Sequence, residues 1–364
     1  TIIHLMLFVI SKKRLKRNYK YSSYNIIKKP YLIDLRQKFW FDKINNKRCL
    51  VFIHTINPYF SLTNIFYNNN FIFPESIFFI KKIFNNKITF YDILNEIIKD
   101  QKLNNHYTID DPRNIKTYAN VLNSYSIDLF VFMHGRFNKT HDQLFDIKFK
   151  KYYVWSHYFK NLYLTYSRNN VANNIEIIGH PNFNQNYLSR SLDNSKKILI
   201  IEEDLISDDE YLKLFQILTH LKNEILFKLK PGSNKNREKI KKIIKTTEIK
   251  NIYDCILQND VMVIVGFYST SLFESFLIEI PSIVLKNNTK YFDDFLISSH
   301  PYICKYEDIF SFIKKINFYD TKNRLKIQKY RDAIWDRDLF VDEFLIEFVN
   351  NHNNLNNESN NFNK

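Results

Sequence analysis

Residues 264–285 read IVGFYSTSLFESFLIEIPSIVL and combine a strand, a hydroxyl-rich turn, an amphipathic segment and a second strand. The chain contains only 4 glycines, and one of them, Gly266, directly precedes the turn Tyr268–Ser271. A strand, turn, helix and strand in this order predict a βαβ unit of a parallel sheet. We expect Gly266 to let the chain turn sharply, so that the hydroxyl groups that follow face a ligand.

The same alternation extends to both sides of this unit and predicts an α/β fold with parallel sheets. Strands are expected within 48–56, 127–135, 151–164 (where a strand runs into a helix), 175–183, 196–204 and 224–232. Helices are expected at 76–84, 90–100, 207–222 and 235–245, and throughout the chain beyond about residue 305. A polar stretch at 184–195 separates two predicted domains, 1–188 and 189–347, and the asparagine-rich residues 348–364 form a predicted disordered tail.

The composition is that of a globular chain with an excess of positive charge. Of the 364 residues 45% are hydrophobic and 16% aromatic, and the net charge is +15. Such a charge suits nucleic acid, an anionic membrane or a phosphorylated substrate. Lysine is spread along the whole chain, however, which favours a solvated surface. One stretch, KFKKYYVW at 148–155, places aromatic residues beside lysines and could form a stacking surface for single-stranded nucleic acid.

The cysteines and the first residues bear on location. Cys49, Cys255 and Cys304 are widely spaced, fit neither a zinc site nor a disulfide framework, and indicate a reducing cytoplasm. Residues 1–10 are apolar and precede a basic run from Lys12 to Arg17, the reverse of the order in a signal peptide. Ten residues are too few to cross a bilayer. A buried first strand is the preferred interpretation, and the end of a membrane helix in a longer chain is the alternative.

Several strand ends carry residues suited to binding an anion. In a doubly wound sheet, ligands lie at the carboxyl ends of the strands. Backbone N–H groups and hydroxyls of the turn 266–271, together with the dipole of the following helix, could bind phosphate without a metal. Glu274 could accept hydrogen bonds from ribose. The alternative is purely structural, since Ser271-Leu-Phe-Glu274 is also a capping-box pattern.

The order of the motifs resembles a known family over about 128–290. The motifs are His134-Gly135 at the end of a strand, a Val-Trp strand, a Gly-x-Pro-x-Phe turn, a Lys-Ile-Leu strand, Lys228-x-Lys230-Pro, and an aspartate-led strand followed by Tyr-Ser-Thr, Glu274 and a proline. This pattern resembles the GT-B glycosyltransferases of bacterial surface polysaccharides, especially the branch of teichoic-acid glycerophosphotransferases and polysialic-acid or capsule polymerases. The resemblance implies two Rossmann-like domains whose parallel sheets face a central cleft, with a helical C-terminal segment.

The resemblance also implies an activity: metal-independent transfer of a sugar or glycerophosphate from a nucleotide-activated donor to a surface-polysaccharide or lipid-linked acceptor. It implies no further cofactor. The resulting donor-site and architectural assignments are Ser269, Thr270, Ser271 and Gly266 at the phosphates, Glu274 at the ribose, Lys228 and Lys230 as phosphate-neutralising cations, and Asp260 and Pro281 as architectural positions. His134 is the expected general base, with Asp110 and Asp111 as fallbacks. Lys230 stands where the family has histidine, which puts the acid chemistry of that position in doubt.

Two other functions remain open at this point. A nucleotide-sugar epimerase shares the two-domain architecture, and a basic protein that binds nucleic acid or an anionic membrane fits the charge. No recognised nucleic-acid motif is present, so no nucleic-acid partner is expected. We expect a cytoplasmic protein, and the basic run at Lys12 to Arg17 is the candidate for a peripheral contact with the inner face of the cytoplasmic membrane. The preferred interpretation of this run is an ordinary solvated lysine surface.

Overall fold

The computed structural model describes most of the chain in discrete ranges. These ranges are 2–15, 20–26, 50–53, 71–72, 74–99, 101–110, 115–133, 135, 137, 141–168, 171–181, 183, 185–187, 197–230, 237–249, 251–286, 299–336 and 339. The chain divides into two compact units, one formed by residues up to Pro181 and the other by Asn182–Val341. The predicted boundary, between 188 and 189, lies a few residues further along the chain, and the predicted tail at 348–364 lies outside the described residues.

The first unit contains a parallel sheet of seven described strands. They are β1 Lys20–Ile26, β2 Leu50–Ile53, β3 Phe71–Ile72, β4 Lys102–Ile109, β5 Asp128–Phe132, β6 Lys151–Val154 and β7 Ile175–Ile177. Their order is β3-β2-β1-β4-β5-β6-β7, and every neighbouring pair is parallel. The helices are α1 Ile2–Leu15, α2 Pro74–Phe84, α3 Phe90–Lys99, α4 Ile115–Ser124, α5 Asp142–Phe145 and α6 His157–Tyr166.

The second unit contains a parallel sheet of six described strands. They are β8 Lys197–Ile201, β9 Ile225–Lys228, β10 Lys245–Thr247, β11 Val261–Gly266, β12 Ser282–Lys286 and β13 Ile303–Lys305. Their order is β10-β9-β8-β11-β12-β13, again parallel throughout. The helices are α7 Asp208–Leu218, α8 Glu238–Ile243, α9 Ile252–Gln258, α10 Ser271–Glu274, α11 Ile309–Lys315 and α12 Thr321–Ile334.

Both sheets have the doubly wound strand order, in which the first and fourth strands of the unit are neighbours. The direction of winding reverses between these two strands, and ligands of such folds bind outside their carboxyl ends. In the second unit this switch point lies between β8 and β11. Both strands are buried on both faces, as expected for a parallel sheet covered by helices: residues 198–201 and 263–265 are at most 4% exposed.

Most predicted elements are confirmed. Each strand segment predicted from residue 48 onwards contains an observed strand, and each predicted helix contains an observed helix. The sequence also explains where helices begin. In α7 the Ser207 side chain accepts from the Glu210 N–H while the Glu210 carboxylate accepts from the Ser207 N–H, which completes a capping box. In α12 the Asp320 side chain accepts from the Asn323 N–H.

The predicted first strand is wrong, because residues 2–15 form the helix α1. A short apolar run does not distinguish a strand from a helix, and here packing on α2 decides. Leu7 and Ser11, one helical turn apart, are fully buried, and the His4 ring stacks on Phe79 with the ring centroids 4.6 Å apart. No helix among the described residues combines the length and apolar character needed to cross a membrane.

The alternative of a nucleic-acid stacking surface at 148–155 is not supported by the structure. Tyr152, Tyr153 and Trp155 are at most 4% exposed, and Phe149 is 7% exposed. The Trp155 indole N–H donates to the Met133 carbonyl at 3.1 Å. These aromatic rings belong to the core of the first unit and are not available to stack on bases.

Candidate functional site

The candidate site lies at the switch point of the second unit, where the chain leaves β8 and β11. After β8 come three acidic residues, Glu202, Glu203 and Asp204. After β11 comes the turn that the sequence predicts to bind phosphate. The two strands are hydrogen-bonded neighbours, with Ile200 opposite Val265. The acidic residues and the turn therefore meet at the same edge of the sheet.

The Glu203 carboxylate occupies the backbone N–H groups of this turn. Its Oε1 accepts from the N–H groups of Phe267, Tyr268 and Ser269 at 2.9, 3.0 and 2.9 Å, and its Oε2 accepts from that of Tyr268 at 2.9 Å. Glu203 is 2% exposed. Convergent N–H groups form an anion-binding concavity, and in this structure the anion is a side chain of the protein itself.

Gly266 provides the space for this carboxylate. It is the last residue of β11, and its φ is not positive; among the described glycines, positive φ occurs at Gly179. A sharp turn requiring glycine backbone freedom is therefore not its role, contrary to the prediction. A Cβ at Gly266 would lie 3.0 Å from Glu203 Oε1 and 3.2 Å from Leu272 Cδ2. Glycine is required because other atoms approach its backbone closely.

The backbone of Glu203 is fixed from two sides. The Tyr211 hydroxyl accepts from the Glu203 N–H at 2.7 Å and donates to the Ile201 carbonyl at 3.1 Å. The Arg237 guanidinium donates to the Glu203 and Ile206 carbonyls at 3.1 and 3.0 Å. Burial, followed by the Glu203 charge, holds the pKa of Tyr211 well above its ordinary value, so this hydroxyl stays protonated.

Arg237 also connects the neighbouring acids. It is 1% exposed, and its Nε donates to Glu202 Oε1 at 2.8 Å, while Nη1 pairs with Asp208. The other Glu202 oxygen accepts from the Lys230 N–H at 2.7 Å. The Lys230 side chain pairs with Asp204. The cation expected to neutralise a phosphate is thus paired with a carboxylate of the protein.

Lys228 and Glu274, two of the predicted donor-site residues, lie close enough for their charges to interact. Lys228 ends β9 and is 4% exposed. Loss of hydration on burial lowers the pKa of its ammonium group, and the charges of Cys255, Glu274 and Glu202 oppose that shift. Glu274 ends α10 and is half-buried. A buried cation beside a partly accessible carboxylate can bind a polar ligand that carries both an anionic and a hydroxyl group.

The hydroxyl residues do not form the predicted capping box. The N-cap of α10 is Thr270, without a side-chain cap hydrogen bond. The Ser271 N–H instead donates to Ser269 Oγ at 3.3 Å. The helix expected here is also shorter, because α10 covers only Ser271–Glu274 and continues as a 3₁₀ segment, Ser275–Ile278. Ser269, Thr270 and Ser271 are partly exposed at the sheet edge.

Two predicted architectural positions have backbone contacts that agree with such a role. Asp260 precedes β11 with φ of 52°, a left-handed conformation that aspartate tolerates better than most residues. Its carbonyl accepts from the Lys197 N–H at 3.3 Å, and the Pro281 carbonyl accepts from the Ile264 N–H at 3.0 Å. Both contacts hold neighbouring strand ends together.

The first unit gives less information about its predicted residues. His134 and Asp111 lie outside the described residues, so the general base stays a prediction. Asp110 follows β4, is 6% exposed, and accepts from the Tyr152 hydroxyl at 2.7 Å. Within the described ranges no three histidine, cysteine or acidic side chains cluster in a way that could hold a metal ion. Whether the protein works without a metal also stays a prediction.

No protein-family model matches the chain, and no curated protein matches it in sequence. Solved structures do match. A UDP-glucosyltransferase from Polygonum tinctorium is 10% identical with a TM-score of 0.54, over 91% of this chain and 98% of that one. A UDP-N-acetylglucosamine 2-epimerase from Rickettsia bellii is 13% identical with a TM-score of 0.54, over 93% and 98%. S. aureus MnaA, solved with UDP, is 10% identical with a TM-score of 0.56, over 93% and 98%.

At this identity the likeness establishes the fold. The chain has the GT-B fold, with two parallel α/β sheets flanked by helices, as the sequence predicts.

Proposed function

We propose that this protein is an enzyme acting on a nucleotide sugar, and that it is a glycosyltransferase. The observation that carries the proposal is the pair of doubly wound sheets, whose fold is similar over more than nine-tenths of the chain to proteins whose names specify UDP or UDP-sugars. Folds of this kind bind nucleotides at the switch point. In the second unit, Lys228 and Glu274 lie near that edge.

Lys228 and Glu274 would divide the recognition of the donor. The Lys228 ammonium would neutralise a donor phosphate as a point charge, and the Glu274 carboxylate would accept hydrogen bonds from ribose hydroxyls. Because burial lowers the pKa of Lys228, an anion beside it would favour the protonated form. We therefore expect nucleotide binding to be accompanied by proton uptake near the pKa of the free site.

The test is isothermal titration calorimetry with UDP, CDP, CMP and GDP, each in two buffers that differ in ionisation enthalpy. We expect one nucleotide to bind wild type and to bind Lys228→Met and Glu274→Gln at least about tenfold more weakly, a loss of about 1.4 kcal/mol. Lys239→Met is the matched control, since that lysine is 71% exposed. Failure of every nucleotide to bind folded wild type would refute the proposal.

An epimerase is supported equally well by the solved structures, since UDP-N-acetylglucosamine 2-epimerases are similar to this chain to the same degree as the glucosyltransferase. The two reactions differ in their need for an acceptor. An epimerase converts the nucleotide sugar alone and leaves the sugar–phosphate bond intact in its product. A transferase needs a second substrate and releases the nucleotide. Incubation of the donor without acceptor, followed by chromatography of the nucleotide products, separates them.

We also propose that the first unit contacts an anionic membrane, where a lipid-linked acceptor would be found. Exposed apolar side chains lie on α1 and on the helix α2 that packs against it: Leu5, Val9, Phe79, Ile83 and Phe84, which are 41–87% exposed. Lys82 and Lys87 are exposed on and beside α2. Apolar groups flanked by lysine suit a lipid interface. Lys12, part of the predicted basic run, is instead paired with Glu96.

Vesicle co-sedimentation tests this contact. We expect wild type to sediment with vesicles rich in phosphatidylglycerol and less with phosphatidylcholine alone, and Phe84→Asp to lose most of the binding. Leu325→Asp in the second unit is the control, because Leu325 is 60% exposed. Equal binding by both variants would exclude α2 as the contact.

A further inference from the structure

The strongest unexplained feature is a buried carboxylate at the position where a doubly wound fold binds its ligand. Glu203 closes the switch point between β8 and β11 by accepting from three successive backbone N–H groups at 2.9–3.0 Å. Three N–H groups directed at one oxygen are the arrangement that binds a phosphate oxygen in nucleotide folds. Here they bind an acid supplied by the chain.

We propose that Glu203 is the internal occupant of an oxyanion site, and that removing its carboxylate opens this site to phosphate. In the ligand-free protein the carboxylate holds the turn 267–269 in place by charge-assisted hydrogen bonds. A phosphoryl group that uses the same N–H groups must displace it. Glu203 therefore competes with any ligand phosphate at this edge of the sheet.

The surroundings allow the side chain to leave while the site remains. Tyr211 and Arg237 hold the Glu203 backbone through its N–H and its carbonyl, and these contacts do not depend on the carboxylate. The absence of a side chain at Gly266 keeps open the space next to Oε1, which a Cβ would approach to 3.0 Å. The turn itself is braced by its own bonds, since the Leu272 N–H donates to the Ser269 carbonyl at 3.1 Å. Loss of the carboxylate thus leaves a cavity lined with donors.

This inference rests on the geometry of one unit and does not require the proposed function. If the chain is a nucleotide-sugar enzyme, the site would receive a donor phosphate, and the two conclusions are tested with different ligands. Inorganic phosphate tests the oxyanion site, and nucleotides test the function.

The experiment titrates inorganic phosphate, at ionic strength held constant with chloride, into wild type, Glu203→Ala, Glu203→Gln and Asp209→Asn, and follows the melting temperature. Asp209→Asn is the matched control, because it removes a carboxylate of α7 that is 86% exposed. We expect Glu203→Ala to melt below wild type and to be stabilised by phosphate at concentrations at least about tenfold lower than any that stabilise wild type. Asp209→Asn should behave like wild type.

Glu203→Gln keeps an acceptor oxygen without the charge, so we expect it to fold and to show a smaller gain in phosphate binding. It decides the outcome if Glu203→Ala does not fold in any buffer. A phosphate response of the folded Glu203 variant equal to that of Asp209→Asn would overturn the proposal, as would wild type that binds phosphate as tightly as the variant. A gain in phosphate binding without binding of any nucleotide would support the oxyanion site and contradict the proposed function.

Discussion

His300 predicts a measurable loss of stability in mild acid. The ring is 5% exposed and lies between β12 and α12. Its Nε2 lies 3.0 Å from Ser282 Oγ and its Nδ1 3.1 Å from the Tyr302 carbonyl, and the rings of Phe276 and Tyr330 pack against it at 5.2 Å. Burial lowers the pKa of His300 from 6.5 to about 3, because this environment disfavours the charged imidazolium.

The direction and size of the effect follow from proton linkage. Between about pH 3 and pH 6.5 the unfolded chain binds a proton at this histidine that the folded chain does not. Stability is therefore unaffected above pH 6.5 and falls as the pH decreases from 6.5 towards 3. At pH 5 the difference of about 1.5 pH units corresponds to about 2 kcal/mol.

Amide hydrogen exchange measured by mass spectrometry on peptides from β11 reports opening of the second unit alone. We expect the opening free energy of wild type, corrected for intrinsic exchange, to fall between pH 7.5 and pH 5 by about 2 kcal/mol more than that of His300→Gln, which cannot be protonated in this range. His220→Gln is the control, since His220 is exposed, and it should retain the wild-type pH dependence. Identical pH dependence of wild type and His300→Gln would refute the reasoning.

Three substitutions in the second unit test the contacts of Arg237, Gly266 and Ser207, and the first two are compared with control substitutions. The free energy of unfolding of each variant is measured by urea denaturation. Arg237→Leu leaves the buried Glu202 carboxylate without its cation and should destabilise the unit by about 3–5 kcal/mol. Lys239→Leu, at an exposed lysine, should change little. Gly266→Ala forces a methyl group against the Glu203 carboxylate and should cost about 1–3 kcal/mol of stability. Its control is Gly135→Ala, which has no atom within 4 Å of the added Cβ and should stay within about 0.5 kcal/mol of wild type. Ser207→Ala removes the capping box of α7 and should cost about 1 kcal/mol. A neutral Arg237→Leu, equal effects at the two glycines, or an unchanged Ser207→Ala would contradict the respective contact.

The sequence predicts four strands of the second unit, β8, β9, β11 and β12, because they are continuous apolar runs between polar turns. It fails at β1 and β4, the two central strands of the first unit, for a physical reason. β4 reads KLNNHYTI and contains more polar than apolar positions, yet His106 is fully buried against the Tyr118 ring, with the centroids 5.3 Å apart. Burial of such a residue depends on the helix that packs on the strand, so local hydrophobicity does not indicate it.

In the candidate site, too, local sequence predicts the positions of residues but not which of them are neighbours in space. The turn after β11 and the position of Lys228 at the end of β9 follow from strand ends that share one edge of a sheet. The sequence shows that three acids follow the predicted strand β8, but their role depends on β8 lying beside β11 and not beside β12. The neighbourhood of β8 and β11 follows from the doubly wound order, since this order makes the first and fourth strands of a unit neighbours.

With that order, the scarcity of glycine becomes informative. In a chain with 4 glycines, the one at the end of β11 faces an acid that follows β8, and the missing side chain admits the carboxylate to the N–H groups of the turn. An acid after the first strand and a glycine at the end of the fourth thus form a pair in space although they lie far apart in sequence. Read together, they predict that the anion site of this sheet carries its own anion, which neither position predicts alone.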